Sequence, residues 1–116
     1  MARWATLIEQ RRDERPVLLV DTGNFCARKR VKNQDVQDRF FFEAMKLLRY
    51  DALAVGENEI LFGKKRLLET SRHNGFELVA ANIIEKKSQA LLTAPYVIKE
   101  IGGTNLLFTR IGALKV

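Results

Sequence analysis

The chain reads as an α/β protein in which helices alternate with mostly parallel strands and the last two strands fold back as a β-hairpin. Three observations predict this. The short apolar run Val17-Leu18-Leu19-Val20 ends in a turn sequence, Asp21-Thr22-Gly23-Asn24, the signature of a strand buried on both faces. Further short apolar runs alternate with stretches whose apolar residues recur at helical spacing, the arrangement of βαβ units around a parallel sheet. Near the C-terminal end, Gly102-Gly103 separates two period-2 runs, Tyr96 to Ile101 and Thr104 to Ile111, which is the pattern of a two-residue hairpin.

Each element has a local cause. Trp4, Leu7 and Ile8 fall at i, i+3 and i+4, so the chain opens with an amphipathic helix that ends near Arg15-Pro16, because the residue before proline is pushed out of the helical region. Residues 25–37 hold Arg28, Lys29, Arg30 and Lys32 and almost no apolar periodicity, which predicts a solvated loop. A second helix follows, with Phe41, Ala44, Met45 and Leu48 on one face, Phe40 and Leu47 widening it, and Arg39, Glu43, Lys46 and Arg49 toward solvent. Ala52 to Val55 makes a second strand. Lys64 to His73 makes a third helix, stopped by Asn74-Gly75, and Phe76 to Ala81 a third strand.

At 116 residues the chain is expected to form a single α/β domain, 1–116, burying roughly two-thirds of the surface of its unfolded form. Hydrophobic residues at 47% and charged ones at 29% are those of a water-soluble globular protein, and no apolar run approaches the ~20 residues that carry a helix across a bilayer. The first residues, Met1 to Glu9, lack the apolar core and cleavage site of a secretory signal, so the expectation is a product that stays inside the cell. Cys26 is the sole cysteine, which rules out an internal disulfide or a cysteine-built zinc site; with no His partner near it in sequence it reads as inert. Twenty basic against 14 acidic residues give a net charge of +6, which favours anionic partners at long range and is also common on ordinary domains. The basic cluster at 28–32 has no aromatic interleaving, so a solvated loop is favoured over a nucleic-acid contact.

One stretch is more specific. Tyr50-Asp51-Ala52 and then Gly56-Glu57-Asn58-Glu59-Ile60-Leu61-Phe62-Gly63 closely resemble the Gly-Tyr-Asp-Ala and Gly-Asn-His-Glu-Phe-Asp-Phe-Gly segments of the two-metal, calcineurin-like metallophosphoesterases, the 5'-nucleotidase branch most closely. Three further stretches carry the same resemblance in the same order. Arg15 to Asn24 resembles the strand ending Asp-Ala-Gly-Asp, Phe76 to Ile83 the strand Phe-Pro-Val-Leu-Ser-Ala-Asn-Ile, and Pro95 to Gly103 the segment Pro-Tyr-x-Ile-x-Glu-x-Gly-Gly. Together they run from about Ala5 to Leu114 and imply the N-terminal part of the family's αββα sandwich.

The resemblance implies metal-dependent hydrolysis of nucleotide phosphate esters, with manganese, magnesium or zinc as the divalent cofactor. Such a site needs a bridging carboxylate and several His and Asp ligands around ions ~3.5–4 Å apart. At the matching positions this chain departs from the pattern. The bridging Asp is Asn24, the ligating Asn is Glu57, the acid His is Asn58, and the Asp that orients that His is Leu61. An amide transfers no proton at neutral pH, so the catalytic positions Asn58 and Leu61 are degenerate, whereas Glu57 retains an oxygen ligand for a hard cation. The family's Asp-x-His before the first helix and its later Gly-His and Gly-His-x-His segments have no counterpart here.

Asp21, Asn24 and Glu57 are accordingly the candidate metal positions, an oxygen-rich set better suited to magnesium, calcium or manganese than to zinc and able to hold one ion weakly. Asp21 reads equally well as a turn residue. Glu57 and Glu59 also read as solvated loop carboxylates, and Asn82 either lines the same crevice or closes its strand locally. His73, the sole histidine, fits a helix C-terminus better than a metal. Phe40-Phe41-Phe42 reads as core. As an isolated chain the expectation is a phosphoesterase-like domain that is catalytically dead or nearly so. Its rival is a non-enzymatic binding or structural module, or a remnant that needs a partner to supply missing strands, with self-association through the hairpin. Relatives of this kind are often exported.

Overall fold

The computed structural model describes residues 2–26 and 32–112, and the alternation predicted from sequence is its architecture. In chain order the elements are α1 (Ala2–Glu14), β1 (Val20–Asp21), α2 (Gln34–Leu47), β2 (Ala52–Ala54), α3 (Glu57–Phe62), α4 (Lys64–Asn74), β3 (Leu78–Val79), β4 (Tyr96–Ile101) and β5 (Thr104–Thr109). The first three strands form a parallel sheet in the order β1-β2-β3, with Val20 beside Ala52 and Leu53 beside Leu78. The last two form a separate antiparallel hairpin in which Tyr96 faces Thr109 and Ile101 faces Thr104. Its turn residues Gly102 and Gly103 have φ of 58° and 81°, the doubly positive geometry of a type I′ turn that glycine adopts without strain.

The core lies between the parallel sheet and helices α2, α3 and α4. Leu53 and Val55 from the β2 segment, Leu78 and Ala80 from the β3 segment, and Phe42, Met45, Phe62 and Leu67 from the helices form one buried cluster. Phe42 is its hub, with ring centroids 5.8 Å from Phe62, 6.2 Å from Phe76 and 5.9 Å from Phe25, separations at which aromatic pairs attract beyond their burial. The β3 segment leads on to the hairpin: the Ala80 N–H donates to the Ala94 carbonyl and the Ala81 N–H to the Arg110 carbonyl. The end of β5 is thereby brought beside the carboxyl ends of the parallel strands. Among the described residues no helix is long and apolar enough to cross a membrane.

Several local expectations are corrected. The strand expected over 17–20 is half-buried and pairs only at Val20–Asp21. It is the outer strand of its sheet, and the Leu19 N–H is taken by the Asp51 side chain at 2.7 Å rather than by a neighbouring strand. Helix α2 begins at Gln34, inside the expected loop, where Asn33 at φ 66° precedes it and the buried Gln34 side chain donates to Asp38. Its apolar stripe is narrower than predicted: Phe42 and Met45 are buried, while Phe40 and Leu47 face solvent. The segment expected as a loop after β2 is helix α3, so Glu57, Asn58, Glu59 and Leu61 are helical. Gly75 ends α4 at φ 72°, as its position after Asn74 predicts. Of the basic cluster, Arg28, Lys29 and Arg30 lie outside the described residues.

Candidate crevice at the carboxyl ends of β1 and β2

In open parallel sheets, side chains that follow adjacent strands converge on one crevice, and here the turns after β1 and β2 do so. The first turn is held by its own side chain. Asp21 Oδ1 accepts a hydrogen bond from the Gly23 N–H at 2.8 Å, an Asx-turn, while Gly23 at φ 101° and Asn24 at φ 60° turn the chain back through the left-handed region. Asp21 therefore serves as the turn residue. Desolvation pushes its carboxyl above the ordinary range, offset by the Gly23 hydrogen bond and reinforced by the nearby Glu59 charge, with the Arg110 guanidinium acting in the opposite direction.

The second turn is organised by Glu59. Its side chain is 0% exposed, and its carboxylate accepts three backbone N–H groups: Gly56 at 2.6 Å and Asn24 at 2.8 Å on Oε2, and Cys26 at 2.9 Å on Oε1. The Gly56 bond is the half of a capping box that a glycine N-cap allows, with the N3 glutamate reaching back to the start of α3. The other two bonds reach across to the turn after β1. One carboxylate thus ties both turns together.

The amides reinforce the link. Asn24 Oδ1 accepts from the Asn58 N–H at 3.1 Å, and Asn58 Nδ2 donates to the Cys26 carbonyl at 3.1 Å. Glu57, on the first turn of α3, is exposed and lines a cavity of about 120 Å³ with Asn24, Val55, Gly56, Ile83, Arg110 and Gly112. Leu61 is 58% exposed and takes no part in it. Asn82 stands outside this lining and is spent on Gly112, donating to its carbonyl at 2.6 Å and accepting its N–H at 3.2 Å. Cys26 is buried beneath the turn.

Sequence reasoning does not single out Arg110. Its Nη1 is buried, its side chain lines the crevice, and among the described residues that nitrogen has no hydrogen-bond partner. It presses against the backbone of both turns: a Cβ at Gly56 would stand 2.6 Å from it, and one at Gly23 would collide with it. A side chain at either glycine would push the guanidinium end aside, and at Gly56 the Asn24 amide too, while Gly23 is favoured for its φ as well. A signal is present in the sequence. Leu106, Phe108 and Arg110 are spaced by two, so the arginine continues the inward face of β5 where an apolar residue is the norm.

A larger hollow of about 420 Å³ lies between α2 and α4, lined by Asp38, Phe42, Phe62, Arg66 and His73 among others, and contains none of the residues of the crevice. His73, near the end of α4, thus lines this hollow and not the cavity that holds Asn24 and Glu57. Among the described residues no group of three or more His, Cys, Asp or Glu side chains is arranged to hold a metal ion.

No family model matches the sequence. The chain is 33% identical to a 2',3'-cyclic-nucleotide 2'-phosphodiesterase/3'-nucleotidase of Salmonella typhimurium, over 86% of this chain and 17% of that protein. Among solved structures, a 5'-nucleotidase precursor from Thermus thermophilus superimposes over 92% of this chain and 22% of its own, with a TM-score of 0.75 and 22% identity. The calcineurin-like phosphoesterase YfkN from Bacillus subtilis does so over 92% of this chain and 37% of its own, with a TM-score of 0.67 and 26% identity. The chain is akin to a partial, N-terminal region of the 5'-nucleotidase-type metallophosphoesterases. It spans less than two-fifths of each of these proteins.

Glu59→Gln is expected to cost about 2–5 kcal/mol, because an amide offers one acceptor oxygen to three buried N–H donors and turns its NH₂ toward at least one of them. Urea unfolding checks this. A loss below about 0.5 kcal/mol, the size of an ordinary surface change, would mean that the carboxylate does not hold the turns.

Proposed function

We propose that this chain is a metallophosphoesterase-like domain, 1–116, that keeps the family's scaffold and, in isolation, lacks its hydrolytic chemistry. The observation that carries this reading is the commitment of Asn24 and Asn58. Each amide is spent on joining the two turns, so the positions that resemblance assigns to the bridging ligand and the acid act as structural hydrogen-bonding groups. Leu61, at the position of the acid's orienting carboxylate, points to solvent and has nothing to orient.

The residues present do not fit a pair of divalent ions. Glu59 has three N–H donors on its carboxylate, Asp21 closes its own turn, and Arg110, with its Nη1 buried, brings a positive charge to the cavity wall. Among the described residues, Glu57 remains as the one exposed carboxylate on the cavity wall. The relatives named above are a cyclic-nucleotide phosphodiesterase/3'-nucleotidase and a 5'-nucleotidase precursor, so a nucleotide or another phosphate ester is the ligand class to test. In the presence of manganese, magnesium or zinc, the purified chain is expected to hydrolyse neither AMP nor an aryl phosphate above a buffer blank. Metal-stimulated turnover that disappears in Glu57→Ala would overturn the reading.

The hairpin supplies a second expectation. Directly opposed residues share a face, and the outer one carries Tyr96, Ile98 and Leu107, which are 51%, 56% and 59% exposed. An apolar hairpin face of this kind seeks a cover, and in the isolated chain a second copy is the available one. Light scattering is expected to show mass rising with concentration and to show less of it in Ile98→Lys. A strict monomer at high concentration would count against an uncovered face and for a self-sufficient fold.

A further inference from the structure

Among the described residues, the crevice brings carboxylates near the Arg110 guanidinium, whose Nη1 is buried. Asp21 and Glu59 lie within electrostatic reach of each other, Asp21 also feels Arg110, and Glu57 shares the cavity wall with Arg110. Arg110 comes from neither turn: it stands just past the end of β5 and is anchored by its carbonyl, which accepts the Ala81 N–H at 2.9 Å. Its Nη1 is enclosed by Gly23 and Gly56, the residues that flank the turns bearing Asn24 and Glu57. Arginine remains charged at any pH a folded protein meets, so this is a permanent positive charge among acids.

We infer that the Arg110 guanidinium is a fixed cation of the crevice, set beside Asp21 and Glu57 and keeping divalent ions out. Two features support this. A divalent ion near Asn24 and Glu57 would have to share the cavity that Arg110 lines, meeting like charge at short range. The glycines at 23 and 56 leave room for the guanidinium where any side chain would displace it. The inference rests on reading the crevice as the counterpart of a metal site. Hydrolysis tests that reading and cation binding tests this one, so the two fail separately: manganese bound by the natural chain without turnover would sink the inference alone.

The test uses nitrogen-15-labelled full chain titrated with manganese ion and followed by paramagnetic broadening of amide signals. The natural chain is expected to show no selective broadening at Thr22, Gly23, Asn24, Gly56, Glu57 or Asn58. Arg110→Met keeps the aliphatic stem and removes the charge, and it should gain selective broadening at these amides with at least tenfold tighter manganese binding. Arg110→Lys keeps the charge and should behave as the natural chain does. The same spectra report whether each variant is folded, and Arg110→Gln replaces the Met variant if that one unfolds. Selective broadening in the natural chain, a folded neutral variant that gains none, or a Lys variant that binds like the Met variant would each overturn the inference.

Discussion

A single buried carboxylate decides the local structure on which the rest depends. Taking Glu59 wholly out of water costs several kcal/mol, and the protein offsets this with three charge-assisted bonds from main-chain N–H groups. Those donors belong to two different turns, one after each of two adjacent parallel strands. The bond to Gly56 starts helix α3, and the bonds to Asn24 and Cys26 pull the β1 turn against it. The distance between the turns, and hence the size of the crevice, follows from the reach of one glutamate side chain.

This explains which parts of the phosphoesterase motif the chain keeps. Gly56 and Glu59 serve the scaffold: glycine leaves room for Asn24 and Arg110, and the glutamate binds the turns. Among the positions that differ, 24, 57, 58 and 61 are those that resemblance assigns to ligands and acid–base groups, while Thr22 and Ile60 replace an alanine and a phenylalanine. Asn24 keeps the left-handed conformation its turn needs, which Asn tolerates better than most residues, and its side chain is turned to a structural bond. Residues that shape the two turns thus stand side by side, within one short motif, with those that resemblance assigns to the chemistry.

Much of the architecture is legible in the sequence because it depends on local signals. The βαβ alternation, the Gly102-Gly103 hairpin turn and the Gly75 helix stop can be read directly because each rests on near-neighbour chemistry. The departures have a common origin in contacts distant along the chain. Glu59 reads as an ordinary surface acid until its partners at 24 and 26 are known, 35 and 33 positions away. Helix α3 escapes for the same reason: its six residues are too few to signal by periodicity, and its start depends on that buried acid. Arg110 follows a strand whose pairing partner says nothing about the crevice, and it reaches the site only because Ala81 and Ala94 bring the hairpin alongside β3.

The central claim is that Glu59 fastens the Asn24, Cys26 and Gly56 main chain into the cooperative core. Native-state hydrogen exchange of those three amide protons tests it most directly, compared with Leu53 and Val55, whose N–H groups bond to Glu77 and Val79 within the sheet. Protection of Asn24, Cys26 and Gly56 comparable to that of Leu53 and Val55 is the predicted result. Exchange of the three at rates near those of unstructured peptide, with the two sheet amides still protected, would contradict the account.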